Sequence, residues 1–71
     1  MTIDLILKIV RKELNISQET FARKLNVSYA TLNRWENNKA RPSRLAMEKL
    51  LNYCADKKIS NGILIELDKY R

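Results

Sequence analysis

Ser17-Gln18-Glu19-Thr20-Phe21-Ala22-Arg23-Lys24-Leu25-Asn26-Val27-Ser28-Tyr29-Ala30-Thr31-Leu32-Asn33-Arg34-Trp35-Glu36-Asn37 is the stretch that decides the fold. It reads as two short helices with a tight turn between them. Ser17 opens the first, because its hydroxyl can accept from an orphan N–H of the first turn, and Glu19 adds negative charge near the positive helix end. Phe21, Ala22 and Leu25 form a short apolar face. Asn26 ends the helix, since asparagine tolerates the left-handed backbone better than most residues. Val27 fills the turn, and Ser28 caps a second helix expected to run to about Asn37. On that helix two stripes separate. Tyr29, Leu32 and Trp35 lie roughly on one face, while Ala30, Asn33, Arg34 and Asn37 lie on the other, at helical steps. Tyr29 reads equally well as a core residue or an exposed one.

Outward from this stretch the spacing stays helical. On the amino-terminal side Ile3, Ile6, Leu7, Val10 and Leu14 predict a helix from about Ile3 to Glu13, broken at Asn15-Ile16. On the other side Asn37-Asn38-Lys39-Ala40-Arg41-Pro42 cannot continue the helix, because Pro42 lacks an N–H and disfavours helical backbone at Arg41. Ser43 caps a further helix with the stripe Met47, Leu50, Leu51 and Cys54. The tail is less readable. Ile63, Ile65 and Leu67 alternate like a strand, whereas Ile59, Ile63, Leu67 and Tyr70 fit a helix. A helix is expected, because a lone strand has nothing to pair with here; a strand pairing with a second copy stays open. The expected fold is all-α, a compact bundle of four or five helices forming one domain over residues 1–71. Ile16, with Val10, Phe21, Leu25, Leu32 and Trp35, is expected in the core.

Composition narrows the function. The chain has 71 residues, too few for more than one core. Its 14 Lys and Arg outnumber 8 acidic residues, a net +6 that draws it to polyanions, nucleic acid first among them. Histidine is absent, which removes the usual general base and the commonest metal ligand. Cys54 stands alone and is expected to be a buried small hydrophobe. With no phosphate-cradling glycine loop and little room for a pocket, an enzyme is not expected, nor is a metal, a cofactor or a small-molecule effector. No apolar run reaches membrane length and the amino terminus lacks a signal-peptide pattern, so a cytoplasmic protein working at the nucleoid is expected.

Two short helices at a corner describe a helix-turn-helix. Ala22 is small enough to let the second helix approach, and Val27 and Leu32 can plug the angle. On these features alone, DNA reading and plain helix packing both stand. The residues supply more. Leu14 through Ser28, then Thr31-Leu32-Asn33-Arg34-Trp35-Glu36-Asn37-Asn38-Lys39 and Arg41-Pro42-Ser43, resemble the Cro and phage-repressor family of helix-turn-helix domains, also called xenobiotic-response-element-like regulators. The resemblance covers about residues 5 to 55, with the helix-turn-helix at about 17–37. It implies a lambda-repressor-like bundle that binds double-stranded DNA, often as a two-fold dimer.

The resemblance also assigns roles. Gln18 looks like the residue that bonds a phosphate and steadies the first recognition residue. Ser28, Tyr29 and Ala30 occupy the opening of the recognition helix, where the family contacts base edges or phosphates. Phage repressors often have glutamine at the positions of Tyr29 and Ala30. Here Tyr29 is expected to stack on sugar or phosphate and Ala30 to touch a thymine methyl. Asn33 and Arg34 are the expected base readers: arginine matches guanine O6 and N7, and asparagine matches adenine N6 and N7. Thr31 is a further base or phosphate contact. Asn37, Asn38, Lys39, Arg41 and Ser43 follow along the phosphates. Asn38 stands where the family usually has glycine, a mild departure because asparagine can adopt the same positive φ. Arg11 and Glu36 match a structural ion pair of the family, expected to be partly buried and to orient the recognition helix against the first helix.

A stand-alone transcriptional repressor is therefore the leading expectation. Two alternatives remain open: a DNA-targeting module of a larger protein such as a methylase or helicase, and an antitoxin-type protein that holds a partner through its tail. No apolar surface on the first four helices is evidently left over, so residues 59–70 are the expected interface of any homodimer.

Overall fold

Serines open three of the helices by the same device. In the computed structural model, which describes residues 1–71, Ser17, Ser28 and Ser43 each accept the backbone N–H three residues on, from Thr20, Thr31 and Ala46. They cap α2 (Gln18–Lys24), α3 (Tyr29–Glu36) and α4 (Arg44–Asp56), which stand between α1 (Ile3–Leu14) and α5 (Asn61–Asp68). There is no strand.

The first four helices end alike. Asn15, Asn26, Asn38 and Lys58 have φ of 55°, 59°, 57° and 59°, the left-handed region that usually falls to glycine. After each, the next N–H reaches back five residues: Ile16 to Arg11, Val27 to Ala22, Lys39 to Arg34 and Ile59 to Cys54. This double closure satisfies helix carbonyls that would otherwise lack partners. Ile59 is buried, and Ile16 and Val27 pack against the core. The turn after α3 breaks the pattern, since Lys39 points to solvent.

The core is one cluster fed by every helix. Ile3, Ile6, Leu7 and Val10 come from α1, Phe21 and Ala22 from α2, Leu32 and Trp35 from α3, Met47, Leu50 and Cys54 from α4, and Ile63 and Leu67 from α5. Leu25 and Ile59 complete it from the turns. Ile16 is only partly buried, packed on the cluster's edge. Removing this apolar surface from water is the chief force that assembles the helices. Burial also pushes the Cys54 thiol up to about 12, so it stays protonated and inert.

The tail is a helix, fastened at one end to Glu13 of α1 and at the other to Met1, ahead of α1. Glu13 accepts the Ser60 N–H at 3.2 Å and the Ser60 hydroxyl at 2.9 Å. At the other end the Met1 ammonium pairs with Glu66 at 3.3 Å, and the Tyr70 hydroxyl donates to the Met1 carbonyl. Lys69 and the Met1 ammonium hold the Glu66 carboxyl below its usual range. Ile59, Ile63 and Leu67 thus face inward, leaving Ile65, 61 % exposed, as the apolar residue on the outer side. The expectation that the earlier helices leave no apolar surface is corrected: Leu45 and Leu5 are 64 % and 46 % exposed. No helix is long and apolar enough to cross a membrane.

Candidate nucleic-acid interface

The corner between α2 and α3 is closed from behind. Ala22 is buried where α3 crosses, Leu32 is wholly buried, and Val27 plugs the turn between them. Behind α3 lies an ion pair: Arg11 Nε and Nη2 each donate to a different oxygen of Glu36 at 2.8 Å. Glu36 is 1 % exposed. Its hydrogen bonds raise the already high pKa of Arg11, so the guanidinium remains charged at any working pH. One face of α3 is therefore committed to Leu32, Trp35 and Glu36.

The opposite face is open. Tyr29, Ala30, Arg34 and Asn37 are exposed and Asn33 is half-buried. Tyr29 is 54 % exposed, which decides between its core and exposed readings in favour of the exposed one. It sits in the first turn, where a helical side chain leans toward the amino terminus and overhangs the end of its neighbour. At its foot is a shallow cleft lined by Glu19, Ala22, Arg23, Asn26 and Val27.

Several polar groups here are engaged with one another. The Ser28 hydroxyl accepts from the Thr31 N–H at 3.0 Å and donates to the Thr31 hydroxyl at 2.8 Å. Ser43 caps α4 and keeps its own hydroxyl proton free. Asn33 Nδ2 donates to Gln18 Oε1 at 3.1 Å, and Asn37 Nδ2 donates to Asn33 Oδ1 at 3.0 Å. Gln18 therefore braces Asn33, in the second turn of α3; the expected link to the first recognition residue is absent. Local spacing carries no sign of this contact between residues 15 apart.

The basic residues of this side have no acidic partners. Ion pairs form at Met1–Glu66, Arg11–Glu36, Lys69–Glu66 and Arg71–Asp68, leaving Arg34, Lys39 and Arg41 free. Asn38 turns the chain between Arg34 and these two loop cations with its positive φ. Lys39 is the outlier among the four helix-ending turns, a cation where the others place an aliphatic residue against the core. No three acidic or cysteine side chains gather in a way that would hold a metal.

Comparison with known proteins gives one match. A family model described as helix-turn-helix, of the Cro and repressor type, matches residues 7–60. No match was found among curated proteins or solved structures. The matched span runs from the middle of α1 to the cap of α5 and takes in the whole open face of α3. With most of its length aligned, this chain belongs to the Cro and phage-repressor helix-turn-helix family, whose members are DNA-binding regulatory domains.

Proposed function

We propose that this chain binds double-stranded DNA in a sequence-specific way as a repressor-type transcriptional regulator, with α3 lying in the major groove. The observation that carries the reading is the division of α3. Its inner face is locked by Leu32, Trp35 and the Glu36–Arg11 pair, and its outer face offers exposed polar groups beside unpaired cations.

The mechanism has two parts. Lys39 and Arg41, with the Gln18 amide, the Ser43 hydroxyl and the Asn37–Asn38 turn, lie along the phosphates. The cations displace counterions and give affinity that falls with salt and ignores sequence. Arg34 and Asn33 then select bases through guanine and adenine edges. Tyr29 and Ala30 supply apolar contact with sugar or thymine methyl, and Ser28 and Thr31 keep spare lone pairs toward the groove.

One domain of this size makes few contacts, so specificity calls for two copies on a palindrome, with half-sites about one helical turn apart. The surface that favours self-pairing is on α5. Exposed Ile65 and half-buried Leu64 and Leu51 line an apolar groove against α4, edged by Asn52, Asp68 and Arg71.

The test is selection of bound sequences from a random duplex pool, with sedimentation of the complex. A single enriched palindrome bound by two chains is the expected result. A chain that enriches no motif at low salt refutes the reading.

A further inference from the structure

Asn61-Gly62 opens α5, and Asn61 is the one asparagine of the chain that a glycine follows. The dipeptide carries a chemistry of its own. The Gly62 backbone nitrogen can attack the side-chain amide carbon of Asn61, because a five-membered ring results and glycine has no side chain to shield the nitrogen. In a folded protein the outcome turns on whether that nitrogen is free.

At the other asparagines it is engaged. Asn15, Asn26, Asn37 and Asn38 are followed by Ile16, Val27, Asn38 and Lys39, whose N–H groups donate to the carbonyls of Arg11, Ala22, Trp35 and Arg34. Arg34 and Tyr53, which follow Asn33 and Asn52, lie inside α3 and α4. Gly62 differs. It stands in the first turn of α5, where N–H groups have no earlier helical carbonyl to reach, and its own has no backbone partner. Ser60 gives this turn no side-chain cap. Asn61 and Gly62 are both exposed, and a Cβ placed on Gly62 would meet no packed neighbour within 4 Å. A helix end of this kind opens at little cost.

We propose that Asn61-Gly62 is a self-modification site, at which asparagine becomes aspartate or isoaspartate. The Gly62 nitrogen bonds to Asn61 Cγ as the Cγ–Nδ2 bond breaks, and the Gly62 proton leaves with Nδ2 as ammonia. Water then opens the cyclic imide. Breaking the new bond to Cγ gives aspartate; breaking the original peptide bond gives isoaspartate, with the main chain rerouted through Cβ and Cγ.

Isoaspartate lengthens the main chain by one methylene, between two anchored residues. On one side Ser60 is held by both carboxylate oxygens of Glu13. On the other Ile63 is buried in the core. The longer chain displaces one of these anchors, so α5 loosens from α1 as the protein ages. The last helix thus carries a slow chemical clock, separate from any reading of DNA.

The folded protein is incubated in mildly alkaline buffer beside its guanidinium-unfolded form. Both are read by peptide mass mapping and by methyl transfer from S-adenosylmethionine with an isoaspartyl carboxyl methyltransferase. Folded wild type should exchange amide for acid at residue 61 alone and accept methyl groups, and its aged fraction should unfold at lower urea. Gly62→Ala, whose methyl shields the nitrogen and fits the open space there, should keep both its amide and its urea midpoint. Folded wild type that retains the Asn61 amide while the unfolded chain loses it overturns the site, because the first turn of α5 then protects the bond. Equal conversion in Gly62→Ala, or conversion spread over the other asparagines, overturns it too. A modified fraction with an unchanged midpoint overturns the loosening of α5. None of these outcomes bears on the DNA-binding reading.

Discussion

Arg11 and Glu36, 25 positions apart, meet in a two-pronged ion pair of 2.8 Å bonds that ties the outer end of α3 to the last turns of α1. Glu36 is buried while a quarter of the Arg11 side chain reaches solvent. Glu36→Ala strands a guanidinium in a partly dry site. The expected cost is about 2–3 kcal/mol, below a fully buried pair and above the 0–1 of a surface one. Replacing both residues, as Arg11→Met with Glu36→Leu, should restore most of the loss, because no charge is then left unpartnered. Urea midpoints measure both, and an unchanged midpoint for Glu36→Ala removes the clamp.

Arg34 and Lys39 are both exposed cations without partners, yet they should fail differently. Arg34→Ala should relax preference at one guanine-containing pair, at a cost of about 1–3 kcal/mol there. Lys39→Ala should weaken all duplexes alike and lower the slope of log affinity against log salt by about 1. Equal loss at every position from Arg34→Ala would mean that it grips the backbone.

Asn38 holds φ 57°. Glycine adopts this backbone without strain, whereas alanine does so at a cost of roughly 1 kcal/mol. Asn38→Gly should therefore leave the melting temperature unchanged or raise it slightly. Asn38→Ala should lower it by about 4–8 °C. A higher melting temperature for the alanine variant contradicts the assignment of the turn.

Cys54 is wholly buried and its thiol is pushed up to about 12. In the unfolded chain the thiol ionises near 9, so from there upward the unfolded state loses a proton that the native state retains. The Cys54 contribution to stability is complete below pH 9 and is lost as pH climbs toward 12. Alkylation at pH 8 should track unfolding in urea; rapid alkylation of the native protein would show the thiol is reachable.

The helix starts and the α2–α3 corner were legible because their determinants are local: a serine cap, an apolar step of three or four, a proline that stops the chain. The left-handed end at Asn26 was legible for the same reason, and that at Asn38 from the glycine that the resembling family usually has there. The one at Lys58 was not, since lysine is not a residue of such turns. The aliphatic residue that follows it, Ile59, repeats what Ile16 and Val27 do and was the available signal. Tyr29 stayed open between core and surface because its stripe position on α3 does not by itself fix its exposure. The Gln18–Asn33 bond depends on the crossing of two helices, which no periodicity encodes.

The contacts of Met1 with Glu66 and Tyr70 place the two ends of the polypeptide side by side. Topologically the chain is nearly a closed ring. A short spacer joining residue 71 to residue 1 would let the ring be reopened at an exposed loop, such as that around Arg41, without rearranging the interior. Tethers at either end would also depart from one spot, so two such units could be strung in tandem like beads.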